Sequence, residues 1–258
     1  MKVTVCQIDP REGQLDQYLA EFASHIKAEG SEFVLLPEMG FSEWLAADKT
    51  PDAGRWAKAV EDHARYISKL NTFGVDAVMG TRPIVNANGS RRNQAYIWTK
   101  ESDSAVGVHE KYYLPDDEGY WEHTWYDRGE KSFDTVRLDE VRIGVQICTE
   151  MWFFEWARHY AASKVDILCV PRATPHRTTE KWLAGGQASA VCSGAYSLSS
   201  NLWYPKGSKA DCGGLGWVID PDGKILATTD TDHPFATVDI DLAFSKASKK
   251  TYPRYVRE

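Results

Sequence analysis

Apolar positions along the chain change period several times, and each change marks an element. Residues 3–8 form a β-rich, strand-like run, after which Leu15, Tyr18, Leu19, Phe22 and Ile26 recur at helical spacing up to Gly30. Four consecutive apolar residues, Phe33-Val34-Leu35-Leu36, then predict a short buried strand. Trp56, Ala59, Val60, His63, Ala64, Ile67 and Leu70 outline a second amphipathic helix, followed by a strand over 75–79. The first part therefore reads β-α-β-α-β.

Two further strand-like runs, 95–99 and 105–109, have no long crossover between them, and Asn88-Gly89 upstream has the chemistry of a hairpin turn. Antiparallel pairs must join the sheet. Asn88-Gly89-Ser90 also matches a glycosylation acceptor, but the turn is the better reading where no secretory signal is seen. The second half repeats the scheme, with strands over 141–147, 165–170 and 196–200 separated by helices over 153–162 and 181–194. Strands over 215–219, 224–228 and 235–240 follow, the first two joined by the turn Pro221-Asp222-Gly223. Interleaved helices and strands with added hairpins predict an α/β layered fold with mixed sheets, and no linker divides residues 1–258, which are expected to form a single domain.

Composition narrows the partners. With 43% hydrophobic and 26% charged residues the chain can build a core, and 30 basic against 37 acidic residues leave a net charge of -7, without the basic stripe that nucleic acid requires. No apolar stretch approaches the roughly 18 residues that cross a bilayer, and no signal-peptide core follows Met1, so a cytoplasmic chain with no membrane partner is expected. Five cysteines, an odd number with no C-x-x-C pair, fit neither a disulfide framework nor a zinc site. His109-Glu110 does not continue into H-E-x-x-H, because Tyr113 stands at the second ligand position, and no metal is expected. Walker A, G-x-G-x-x-G and G-x-S-x-G are all absent, and Gly213-Gly214-Leu215-Gly216 reads as a tight bend before a strand.

Chemistry in α/β folds gathers in loops beyond strand ends, and three such ends carry reactive groups. Residues 33–36 lead to Pro37-Glu38, residues 105–109 to Glu110-Lys111, and residues 141–147 to Cys148-Thr149-Glu150. A thiol at a strand-to-helix junction can have its pKa lowered by the helix N-terminus and a nearby cation, as nucleophilic attack on a carbonyl or nitrile carbon requires; otherwise Cys148 is a small buried residue, as Cys6 and Cys169 are expected to be. Glu38 is either the base for that thiol and for a water, or a turn acid. Lys111 is either solvated or, with the Thr149 N–H, the group that stabilises an oxyanion. Glycoside hydrolysis by paired carboxylates leaves the cysteine without a role. A Cys-His dyad through His109 or His176 lacks a local cysteine-protease signature.

Leu35-Leu36-Pro37-Glu38, His109-Glu110-Lys111-Tyr112-Tyr113-Leu114-Pro115 and Gly144-Val145-Gln146-Ile147-Cys148-Thr149-Glu150 resemble, in order and spacing, the Glu-Lys-Cys segments of the nitrilase superfamily of carbon-nitrogen hydrolases. The resemblance runs to about residue 240 and includes Pro171-Arg172-Ala173-Thr174 and the Gly213 and Pro221 turns. It implies Cys148 as nucleophile, Glu38 as general base and Lys111 as transition-state stabiliser. It also implies Glu122 as the second glutamate that orients Lys111, while Glu118 remains a loop acid, and it calls for no cofactor. The implied fold is a nitrilase-like four-layer α-β-β-α sandwich with two mixed β-sheets. Without the long C-terminal extension of true nitrilases, the implied assembly is a homodimer rather than a spiral filament.

The segment from Lys111 to Glu122 is most similar to the N-carbamoylputrescine amidase branch, which implies a small amide or N-carbamoyl substrate cleaved through a thioester. Around Cys148-Thr149-Glu150-Met151-Trp152 the chain departs from that branch. Glu150 would favour a polar or cationic amide, Arg172 a carboxylate, and Trp121 and Trp152, with Trp44, Trp125 and Trp156, aromatic walls. A nitrile is the alternative substrate, and an acyl-transferring or purely binding member of the same fold the alternative role.

Overall fold

The computed structural model describes residues 1–256, and its elements follow the predicted order. Strand β1 (Lys2–Ile8) leads to helix α1 (Leu15–Glu29), which stops at Gly30 in the left-handed conformation that glycine adopts at least cost. Strand β2 (Phe33–Leu35) and helix α2 (Ala53–Ile67) follow, the latter capped by the Asp52 carboxylate accepting from the Arg55 N–H. Strands β3 (Ala77–Val85), β4 (Arg91–Thr99) and β5 (Ser104–Glu110) form an antiparallel run whose first turn spans Asn88-Gly89, as predicted. After the short helix α3 (Glu122–Trp125) come β6 (Val136–Leu138), β7 (Val141–Val145), α4 (Phe154–Ala162), β8 (Ile167–Arg172), α5 (Thr179–Ser193) and β9 (Tyr196–Leu202). Strands β10 (Trp217–Ile219), β11 (Ile225–Thr228) and β12 (Phe235–Asp239) and helix α6 (Leu242–Ser248) complete the order.

The strands make two mixed halves of the same plan. In the first, β1, β2 and β3 run parallel, with β4 and β5 added antiparallel beyond β3 and β12 antiparallel beside β1. In the second, β7, β8 and β9 run parallel, flanked by antiparallel β6 on one side and by β10 and β11 on the other. They join where Gln7 and Ile8 at the end of β1 pair with Asn201 and Leu202 of β9.

Period-2 alternation sorts the layers. Val3, Val5, Phe33, Leu35, Ala77, Met79, Ala95 and Ile97 point from the first half into one cluster with Val145, Ile167, Cys169 and Leu198 of the second. The opposite face of the first half, with Cys6, Val34, Val78 and Trp98, meets Leu15, Leu19, Phe22 and Ile26 of α1. Tyr160 of α4 and Trp182 and Ala190 of α5 cover the second half. Each fully buried Val, Leu, Ile, Phe or Met side chain among these contributes about 1.5–3 kcal/mol. Helices thus lie outside two facing sheets, the four-layer α-β-β-α arrangement. The pattern missed α3, β6 and α6, because three to seven residues contain too few turns or alternations to display a period.

The parallel strands matter most for chemistry. Beyond the C-terminal ends of β2, β7 and β8 the backbone leaves the ladder, and residues 36–39, 146–150 and 173–175 meet there. The Glu38 N–H donates to the Arg172 carbonyl at 3.2 Å, stitching the first of these turns to the end of β8.

Candidate active site

Each reactive group is held by a specific departure from regular structure. Leu36 still donates to Met79 O, so the chain is strand-like up to Pro37; Met39 then takes φ 46° and donates to Thr81 Oγ1, fixing Glu38 at the bend. Lys111 follows β5, with its N–H on Asn93 O at 2.9 Å and its carbonyl accepting from Gly129 N at 3.0 Å. Glycine is required at 129, because a Cβ there would stand 2.5 Å from the Glu110 carbonyl oxygen. Cys148 takes φ 52°, turning the chain sharply from β7 into a single 3-10 turn over Cys148–Trp152.

The side chains converge. Lys111 Nζ lies 2.7 Å from Glu38 Oε1 and 2.6 Å from Glu122 Oε2, and all three side chains are fully buried. Asn93 Nδ2 donates to the same Glu38 oxygen at 2.7 Å, and the Tyr126 hydroxyl donates to Glu122 Oε2. Glu38 Oε2 and Glu122 Oε1 each keep one oxygen with no protein hydrogen bond. The Cys148 thiol, 3% exposed, faces the Ala173 carbonyl at 3.9 Å.

The electrostatics agree with this convergence. Burial alone would push the Lys111 ammonium down, but the charges of Glu122 and Glu38 hold its pKa above the ordinary value, so it stays cationic. Burial pushes Glu122 up to about 7, and Lys111 only partly restrains that rise. Cys148 differs from the sequence expectation of a thiol with a lowered pKa. Burial, then the Glu38 charge, push it well above the ordinary range, and Lys111 offsets this only in part. A single 3-10 turn has too few aligned peptides to supply the helix-terminus field that the expectation assumed. The resting group is a thiol.

The remaining expected site residues take varied places. Thr149 follows Cys148 and is half-buried, and Trp121 is half-buried with the Lys49 ammonium 4.6 Å from its ring. Trp152 is 39% exposed and lies against Trp182, with ring centroids 5.1 Å apart. Glu150 and Arg172, expected to meet substrate, are fully buried and engaged with the protein itself. Glu150 accepts from Ile147 N, Tyr112 N and His109 Nε2. Arg172 donates to Ser199 Oγ, Thr174 Oγ1 and Leu215 O, and its guanidinium sits 4.1 Å from the Trp217 ring. Their polar atoms are turned to internal partners, a fact that residue type alone does not disclose.

Sequence reasoning also passed over Asn93, Tyr126 and Tyr120. Tyr126 stands four residues after Glu122 and ends α3 in extended backbone, so nearness in sequence to Glu122 was the available signal. Asn93 had none. Burial, and after it the charges of the Cys212 and Cys148 sulfurs, raise the Tyr120 hydroxyl's pKa. Met39, Trp44, Trp125, Tyr126, Ala173, Tyr204 and Cys212 form one buried cluster around this end of the sheets, with Tyr120 and Trp121 packed on it. A surface cleft of about 860 Å³ between α4 and α6 lies elsewhere and shares no residue with this group.

The chain matches the carbon-nitrogen hydrolase family over residues 2–250. It is 25% identical to glutamine-dependent NAD(+) synthetase of Rhodobacter capsulatus over 98% of its own length, but spans only 45% of that protein. It is 24% identical to N-carbamoylputrescine amidase of Arabidopsis thaliana, covering 85% of this chain and 79% of the relative. Among solved structures, Saccharomyces cerevisiae Nit3, a member of branch 10 of the nitrilase superfamily, superposes with a TM-score of 0.82 at 22% identity, covering 98% of this chain and 94% of Nit3.

Proposed function

This chain belongs to the carbon-nitrogen hydrolase family, and from that premise we propose that it hydrolyses a small amide or N-carbamoyl compound through a thioester on Cys148. The observation that carries the reading is the buried Lys111 ammonium held between the Glu38 and Glu122 carboxylates, beside a thiol whose protonation responds to all three. Such a cluster is costly in a core unless its charges are used.

Glu38 accepts the Cys148 proton as sulfur attacks the carbonyl carbon, and the resulting oxyanion is stabilised by the Lys111 ammonium and the Thr149 N–H. Glu38 then delivers that proton to the departing nitrogen. The C–N bond breaks, ammonia or an amine leaves, and a thioester remains. A water gives its proton to Glu38 and attacks the thioester carbon, and collapse returns the proton to sulfur and releases the acid. Glu122, with Tyr126, holds Lys111 in place. Trp44, with Tyr120 and Trp121 packed against it, shares one buried cluster with Met39 and Ala173, and such crowded aromatic surroundings favour a compact substrate. The relatives that carry carbamoyl and glutamine names favour an amide over a nitrile.

The chain acts as one catalytic unit in this reading, which the continuous family match supports. Five free cysteines suit a reducing cytoplasm, and among the described residues no helix is long and apolar enough to cross a membrane. The exposed Tyr252, Tyr255 and Val256 suit pairing of two copies, which light scattering would test.

The test of the activity is ammonia release from a panel of amides, carbamoyl amines and nitriles, with acid-quenched enzyme analysed by mass spectrometry. An acyl mass on the peptide carrying Cys148 supports the reading. Turnover with no adduct, together with full activity of Cys148→Ala, would overturn it.

A further inference from the structure

The segments that carry Lys111 and Cys148 are tied by a buried pair outside the reacting groups. Glu150 Oε2 accepts from Ile147 N at 2.7 Å and from His109 Nε2 at 2.8 Å, and Oε1 accepts from Tyr112 N at 2.8 Å. One carboxylate therefore grips the residue before Cys148, the residue after Lys111 and a residue two before it. On the far side of the ring, His109 Nδ1 lies 3.0 Å from the Ser132 carbonyl, and the Phe133 ring packs on the imidazole with centroids 4.8 Å apart.

Both ring nitrogens thus face acceptors. A peptide carbonyl cannot donate, and an ionised carboxylate only accepts. Only an imidazolium satisfies both contacts, since a neutral ring would set a lone pair against an oxygen. We infer that His109 is a positioning residue, a buried imidazolium strut that with Glu150 sets the placement of Lys111 relative to Cys148 and whose loss of a proton lowers turnover at alkaline pH.

The surroundings support the charge. Burial alone would lower the His109 pKa, but the charge and hydrogen bond of Glu150, the Ser132 carbonyl and the charge of Glu110 on the same strand together raise it above the ordinary 6.5. Glu110 is itself paired with Arg92 at 3.3 Å, and Lys131 of the neighbouring loop lies over the rings of Tyr112, Tyr113 and Trp156. As pH rises through the raised value, the ring loses a donor, Glu150 is left as a buried charge without its counter-ion, and the two segments loosen. Misplacement of about 1 Å at a reacting centre can cost about 100-fold in rate, so the loss should appear in kcat more than in KM.

The turnover part rests on the proposed amidase reading; the ionisation part does not. Nitrogen-15 spectra of histidine-labelled, substrate-free protein, assigned with His109→Gln, should show His109 doubly protonated at pH 7 and titrating above 6.5. A neutral tautomer at pH 7 overturns the inference, whether or not the protein is an amidase. In kinetics, His109→Leu should lower kcat about tenfold or more with KM nearly unchanged. His109→Gln, which keeps an uncharged donor for Glu150, should recover part of kcat and lose the alkaline decline. A glutamine variant that retains the same alkaline decline overturns the inference even if the leucine variant does not fold.

Discussion

Lys111 Nζ and Glu38 Oε1 stand 2.7 Å apart with neither side chain exposed to solvent. In that setting the ammonium compensates two carboxylates at once, since Glu122 approaches from its other side at 2.6 Å. Removing it leaves two buried acids and no cation. Lys111→Ala is therefore expected to destabilise the fold by about 3–5 kcal/mol, the usual cost of breaking a buried pair. Turnover should drop about 100-fold to 1,000-fold through loss of the proposed oxyanion partner. Urea unfolding and kcat measured on the same preparation check both. A variant with wild-type kcat would exclude the assigned role.

Cys148→Ala removes the proposed nucleophile and little volume, so turnover should vanish while the thermal transition stays close to that of the parent. The same assay with EDTA should leave the parent unaffected, because the proposed steps draw their charge stabilisation from Lys111 and backbone amides. Loss of activity on chelation would require a different mechanism.

Burial pushes Glu122 up to about 7 from an ordinary 4.5, so between those values the folded chain holds a proton that the unfolded chain has released. Stability then falls as pH rises through that window, because folding takes up a proton there. Glu122→Gln removes the titration. The stability of the parent relative to this variant should decline from about pH 4.5 to 7 and level off above, as read from urea midpoints across the range. Parallel curves would mean that Glu122 is ionised throughout.

At Gly129 an added methyl would stand 2.4 Å from Glu110 Cβ and 2.5 Å from its carbonyl oxygen, while the Gly129 N–H holds the Lys111 carbonyl. Backbone cannot yield as a flexible side chain tip can. Gly129→Ala should cost about 1–3 kcal/mol and reduce kcat by displacing Lys111. Thermal melting beside steady-state kinetics tests the link. Unchanged kcat in a destabilised variant would separate the loop's packing from the chemistry.

Much of this molecule was legible from its chain. The alternation of helical and strand periods foretold the layered α/β order, because each period is a local property of residues that must bury one face. The candidate residues were legible in part: Glu38, Lys111 and Cys148 each follow a predicted strand, Glu122 came from the family resemblance, and Tyr126 was passed over. Tertiary structure alone decided their surroundings. Asn93 meets Glu38, Glu150 grips His109 instead of facing outward, Arg172 turns to Ser199 and Leu215, and Cys148 is held as a thiol. Contacts of this kind join residues tens of positions apart, through strand pairing that local period does not encode. A pKa sums burial and charge from every element around the group, so it acquires a value only when all of them are in place.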